Sequence, residues 1–190
     1  MTSPDGINWT LRTIPNALAY VDIAWSAGLN KFVSVSSSAI NNPAIWSSDG
    51  IEWFSMVMPP GRSWRSICWS PDARRFVAMV GAGAGAGAAW SVDGLEWNDA
   101  TTPPRIGIWS EVEWCYDYNC FVAVAQDGAT AADQCTFSRD GKTWISGTMS
   151  ALNVWTGLAY STQLCTLVAV AQTGVAGARV ATACPNFQFD

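Results

Sequence analysis

Three regularities in this 190-residue chain predict an all-β fold of the propeller type. The motif Ser-x-Asp-Gly-x-x-Trp occurs four times, opening at Ser3, Ser47, Ser91 and Ser138 and closing on Trp9, Trp53, Trp97 and Trp144. Its aspartates, Asp5, Asp49, Asp93 and Asp140, are spaced by 44, 44 and 47 residues. A period in the forties carried by short strands marks a radial array of small sheets. The third regularity is a fixed run of strand-like segments between motifs, rich in β-branched and aromatic residues and bounded by Gly, Pro, Asn or Asp.

The first strand of each unit ends in an aromatic and a small residue: Ile23-Ala24-Trp25-Ser26, Ile67-Cys68-Trp69-Ser70, Val112-Glu113-Trp114-Cys115 and Leu158-Ala159-Tyr160-Ser161. The second is an apolar run beginning at Phe32, Phe76, Phe121 or Leu167. A third strand, as in Ala44-Ile45-Trp46 or Ala88-Ala89-Trp90, leads into the motif. The fourth carries the motif's Trp and breaks at Pro or Gly. Four blades of four antiparallel strands follow, at about 18–58, 63–100, 108–148 and 152–187, within one domain spanning 1–190. The chain starts with a motif and a fourth strand, and its end supplies strands one to three. Residues 1–13 are therefore expected to dock as the outermost strand of the last blade and seal the ring, because an open array leaves a sheet edge exposed. The competing expectation is a protomer that completes a larger ring by association. In residues 185–187 the fifth motif has lost its Ser, Asp and Gly.

Within the motif, the Asp carboxylate and Ser hydroxyl are suited to accept backbone N–H groups of a tight turn. Gly6, Gly50, Gly94 and Gly141 take the positive-φ position. The signature resembles the Asp-box of sialidase-like propellers and of bacterial and phage propeller repeats. The usual Asp-box separates Asp from Gly and places Thr before the aromatic; here Asp and Gly adjoin, and only Thr143 matches at the second place. The resemblance covers nearly the whole chain and implies fold rather than chemistry. The four aspartates are accordingly expected to be structural.

All twelve tryptophans fall on repeat positions, and burial of such large rings would fill the gaps between blades. Tyr20, Trp64, Trp109 and Trp155 each precede the first-strand aromatic by five residues. Five is odd, so a regular strand would turn this set to the opposite face. Ringing one mouth of the channel beside Arg62, Arg65 and Arg105, these aromatics are the candidate ligand-binding set, suited to stack on sugar rings or on a partner's side chains. The bland account is packing between blades.

Composition narrows the function classes. Hydrophobic residues make up 49% and charged residues 13% of the chain, which suits a packed globular domain. A net charge of -5 argues against nucleic acid as a partner. No apolar stretch is long enough for a membrane helix, so no membrane insertion is expected. No basic segment followed by an apolar run opens the chain, so no signal peptide is expected. The chain lacks histidine and any paired Cys-x-x-Cys spacing; no metal and no cofactor are predicted. Of the six cysteines, Cys115 and Cys120 flank a hairpin turn, Cys165 and Cys184 sit on strands that pairing could bring together, and Cys68 and Cys135 have no obvious mate. Buried thiols are the expected state. The Gly-Ala run at 81–89 lacks the Lys and Ser/Thr of a phosphate loop. The Asn8-Trp9-Thr10 sequon falls in the motif turn, where burial would close it to modification.

A glycosidase needs two carboxylates across the scissile bond, and the Asp-box resemblance brings in sialidase-like chemistry with a Tyr, a carboxylate and three arginines. Glu111 and Glu113 are the only candidate acids, since Glu52 and Glu96 occupy equivalent repeat places and read as surface. Arg62, Arg65, Arg74, Arg75 and Arg105 are available, but no spacing gathers three of them. The expectation is a non-enzymatic structural or attachment module of a virus particle, that of a tailed phage, contacting other protein subunits or a surface glycan. Its expected place is the virion, or the cytoplasm where virions assemble. A lectin-like propeller is the alternative and a glycosidase the third reading.

Overall fold

A computed structural model of the chain describes residues 1–40, 43–83, 87–102, 104, 107–128, 130–174, 177 and 179–183. Four antiparallel meanders follow one another. Sheet one comprises β1 (Tyr20–Ser26), β2 (Lys31–Ser36), β3 (Ala44–Ser47) and β4 (Phe54–Met56). Sheet two holds β5 (Arg62–Ser70), β6 (Arg75–Gly83), β7 (Ala88–Ser91) and β8 (Asn98–Asp99). Sheet three has β9 (Trp109–Cys115), β10 (Cys120–Ala125), β11 (Cys135–Ser138) and β12 (Ile145–Gly147). Sheet four contains β13 (Val154–Ser161), β14 (Thr166–Thr173) and β15 (Val180–Ala183).

The repeat reaches the level of register. Phe32 pairs with Ser47, Phe76 with Ser91, Phe121 with Ser138 and Leu167 with Ala183, so second and third strands align identically in all four sheets. Asn30, Arg74, Asn119 and Cys165 take the same left-handed conformation, φ 46 to 49°, just before each second strand. Asparagine tolerates that region well; Arg74 and Cys165 hold it because the flanking pairing imposes it.

Adjacent sheets bury their faces against each other. Between sheets one and two lie Val33, Val35, Met58, Trp64, Ile67 and Phe76, with Trp97 packed against them. Between two and three lie Val77, Met79, Trp109, Trp114, Phe121 and Trp144. Smaller clusters around Val122, Phe137 and Leu167, and around Val124, Trp155 and Ala169, join three to four. The innermost strands pack in sequence, β1 on β5, β5 on β9 and β9 on β13. Among the described residues no comparable packing returns from β13 to β1. Over the described residues the array is therefore open.

Residues 1–13 do not seal sheet four, contrary to the expectation from sequence. Thr2 and Thr10 form an isolated antiparallel bridge, with N–O distances of 2.9 and 2.8 Å. The hairpin so made lies against sheet one: Met1, Arg12 and Ile14 line a cavity with Tyr20, Ile23 and Trp53. Sheet four has three strands among the described residues. The cause is tether length. Six residues, 14–19, link the hairpin to β1, a reach of about 20 Å when extended, and sheet four stands at the far end of the arc. Thr2 faces Gly50 of sheet one as Val33 of sheet one faces Gly94 of sheet two, and as Val77 faces Gly141. The opening hairpin therefore occupies the place of an outer strand pair in a sheet preceding sheet one.

Candidate functional site on the innermost strands

The four motif turns share one hydrogen-bond pattern. The Gly backbone N–H donates to the Ser hydroxyl at 2.8 Å in every copy. One oxygen of each Asp accepts the N–H groups two and three residues onward at 2.7 to 2.9 Å. The same oxygen accepts the Ser hydroxyl at 2.9 to 3.1 Å. Trp9, Trp53 and Trp144 donate their indole N–H to the turn glycine's carbonyl. These donors hold all four carboxyls below the usual aspartate range. At Asp5 the Asn8 N–H contributes most, at Asp49 the Ile51 N–H. At Asp93 and Asp140 burial is the largest single influence and pushes upward, but the backbone donors together outweigh it. Asn8 is exposed, with its side chain donating to Asp5, so the sequon is not shielded by burial.

The aromatic platform expected from sequence is absent. Trp64, Trp109 and Trp155 are fully buried in the gaps between sheets and present no face to a ligand; Tyr20 is half-buried. A repeated β-bulge explains the error. In each innermost strand one residue is extra to the pairing: Val21, Arg65, Ser110 and Thr156. A bulge lets two residues oppose one, so a step of five residues turns the side chain as an even step would. Trp109 accordingly shares a cluster with Trp114 instead of opposing it.

The arginines do not assemble either. Arg62 is buried, paired with Asp99 (Nη2 to Oδ2, 2.9 Å) and set 5.7 Å from the Trp64 ring. Arg65 sits exposed on its bulge. Arg105 lies outside the described residues.

What the innermost strands do bring together is a chain of acids. Asp22 on β1 accepts the Ile67 N–H at 2.7 Å and lies 2.9 Å from the Ser66 hydroxyl. That hydroxyl is also 2.9 Å from Glu111 on β9 and accepts the Val112 N–H. A serine hydroxyl carries one proton, so Ser66 cannot donate to both carboxylates. The second contact is satisfied when Glu111 is protonated and donates. Burial pushes the Glu111 carboxyl up, which favours that state. Glu113 is raised to about 7 by burial and then by the charges of Glu111 and Asp22. Asp22, Ser66 and Glu111 are equivalent repeat positions, each one residue before Ile23, Ile67 or Val112. That alignment was available in the sequence; only Glu111 and Glu113 were singled out there.

Chemically the cluster can hold a proton near neutral pH. Buried Ser66 lies between Asp22 and Glu111, in contact with both, where a glycosidase pair would need room for the scissile bond. Among the described residues no group of three His, Cys, Asp or Glu side chains is placed to hold a metal ion. No helix there is long and apolar enough to cross a membrane. Cys68, Cys115, Cys120 and Cys135 are free thiols, with Cys115 directly opposite Cys120; Cys184 lies outside the described residues.

No family model and no curated protein matches the chain. Solved structures do. One chain of a nidogen/laminin complex aligns with a TM-score of 0.63 at 11% identity, over 80% of this chain and 56% of that one. The β-propeller domain of Swd1 from Myceliophteria thermophila aligns with a TM-score of 0.56 at 11% identity, over 80% and 48%. A GH74 enzyme of Niastella koreensis gives 0.55 at 15%, over 88% and 23%. The likeness to the Swd1 domain makes the four meanders propeller repeats. The chain spans about half the length of the first two matches and less than a quarter of the third, and at such identities the likeness concerns fold alone.

Proposed function

We propose that this chain is a non-catalytic structural module, four propeller blades in an arc, that works through protein contacts made by the ends of that arc. The observation carrying the reading is the exposure, at the two end sheets, of positions that are buried or half-buried elsewhere in the repeat. Ile23 on the leading face is 52% exposed, whereas its equivalents Ile67 and Val112 are 4% and 2%. On the trailing face Val180 is 63% exposed, against none for its equivalents Ala44 and Ala88. Apolar faces of this kind mark association surfaces. The match to a chain from a nidogen/laminin complex is compatible with such use.

In this reading the motifs are turns of the Asp-box type, and the assembly is a virus particle, as the resemblance to phage propeller repeats suggests. Glycan binding has lost its main support with the burial of Trp64, Trp109 and Trp155. Catalysis would have to proceed through acids that brace neighbouring strands. The test is twofold. The chain should co-purify in an assembly of fixed stoichiometry, and it should turn over no chromogenic glycoside at any pH from 4 to 8. Turnover abolished by Glu113→Gln would replace this reading with the enzymatic one.

A further inference from the structure

At one end of the innermost strands, neighbouring sheets are tied by a repeated contact. Each of these strands carries an aromatic as its last residue but one, Trp69 on β5, Trp114 on β9 and Tyr160 on β13. From the turn that follows β5 or β9, an aspartate reaches the aromatic of the next sheet. Trp114 donates its indole N–H to Asp72 of sheet two at 3.2 Å, and Tyr160 donates its hydroxyl to Asp117 of sheet three. Between sheets one and two the pattern breaks, because Gly28 stands in the aspartate's place.

Trp69 is left half-buried, and among the described residues its indole N–H has no acceptor. Its ring is held by Phe76, 4.6 Å away between centroids. Gly28, Trp69 and Arg74 line one cavity of about 700 Å³, with Leu29, Pro71 and Val92 as its apolar wall. Among the described residues the lining holds two guanidinium groups and no acid. That of Arg75 is engaged, donating to the carbonyls of Ala73 and Asp140. That of Arg74 is exposed and has no partner among the described residues. Arg74 also holds a left-handed φ of 49° at a place that Asn30 and Asn119 fill elsewhere. Two departures from the repeat therefore meet at one cavity: Gly28 removes a carboxylate and Arg74 supplies a cation.

We propose that this cavity receives an acidic side chain of a partner protein, its carboxylate accepting the Trp69 indole N–H and pairing with Arg74. The occupant restores what Asp72 and Asp117 provide in the two other gaps. A protein segment suits the place because a turn-borne aspartate fills it there, and because Leu29, Pro71 and Val92 offer packing to residues beside the acid. A charge-assisted bond from guanidinium to carboxylate adds affinity and direction, and Trp and Arg are the side chains that most often anchor an interface. The site lies between sheets one and two, away from the arc ends, and so adds a contact to the reading above instead of depending on it.

The test is a titration of the 15N-labelled full chain with the blocked peptide Ser-Pro-Asp-Ala, the sequence of the turn that caps Trp114. The Trp69 indole resonance, identified by its loss in Trp69→Phe, should shift and saturate at millimolar peptide. The peptide with Asn for Asp should bind about 10-fold or more weakly, as should Arg74→Asn with the original peptide. Asparagine keeps the left-handed backbone at 74, as at 30 and 119, so the fold should be unaffected. Gly28→Asp is decisive. A β-carbon there meets no atom within 4 Å, and Gly28 has no positive φ, so the variant should fold, move the Trp69 resonance without peptide, and abolish the response. Absence of a saturable shift, a response unaltered in Gly28→Asp or Arg74→Asn, or an equal response to sodium acetate overturns the proposal. Association through the arc ends is read separately by co-purification, so either proposal can fail alone.

Discussion

A β-carbon built on Gly141 would lie 2.6 Å from Cγ2 of Val77 on the neighbouring sheet. The turn glycine thus serves two purposes, a backbone φ of +68° and a surface on which the preceding sheet rests. Gly6 has a φ of +74° with no atom in the way. Gly6→Ala should cost only the left-handed strain, about 1 kcal/mol. Gly141→Ala should add overpacking of about 1–3 kcal/mol. Denaturant titration would check the ordering, and equal losses at both sites would contradict it.

Asp140 is held below the usual aspartate range, so its contribution is present above its unfolded pKa and is lost as pH falls through the lower folded value. The native chain should lose stability on acidification below about pH 4. Asp140→Ala should remove part of that acid limb and lower Tm at pH 7 by roughly 2–4 °C, the equivalent of about 1 kcal/mol in a chain of this size. Melting curves at pH 7 and pH 3 would measure both effects.

Glu113 behaves in the opposite sense. Its folded pKa is raised to about 7, so the native state holds a proton that the unfolded state releases near pH 4 to 5. Stability should therefore fall as pH rises from about 4.5 to 7. After allowance for partial exposure, this amounts to about 1–3 kcal/mol. Glu113→Gln should flatten that limb and raise Tm at pH 8. An unchanged slope would place the proton elsewhere.

Ser66 ties β1, β5 and β9 together through Asp22 and Glu111. Ser66→Ala would leave two acidic groups without that partner in a partly buried site, at about 1–3 kcal/mol. Calorimetry should show the loss. It should be smaller in Asp22→Asn/Ser66→Ala than the sum of the single changes, because the two residues share one network.

The order of the strands and the turns between them were legible in the amino acids because period-two patterning and turn chemistry are local. Ser47, Asp49 and Gly50 build their turn from neighbours within three residues. The faces of Trp64, Trp109 and Trp155 were not legible, since the bulges at Arg65, Ser110 and Thr156 come from pairing against the second strands. The acid chain was half visible: Glu111 and Glu113 stood out as charges on a strand, while Asp22 and Ser66 gain meaning only from the approach of three innermost strands.

By itself, then, the sequence determined the unit: four short strands, a Ser-Asp-Gly turn and a tryptophan, repeated with near-constant spacing. How the units sit relative to one another was decided only in three dimensions. The tilt between sheets comes from side chains packing across gaps such as that between Val33 and Trp97, and the position of residues 1–13 comes from the short tether to β1. Both are long-range outcomes, summed over contacts far apart in the chain, and an open arc and a closed ring can share the same local pattern.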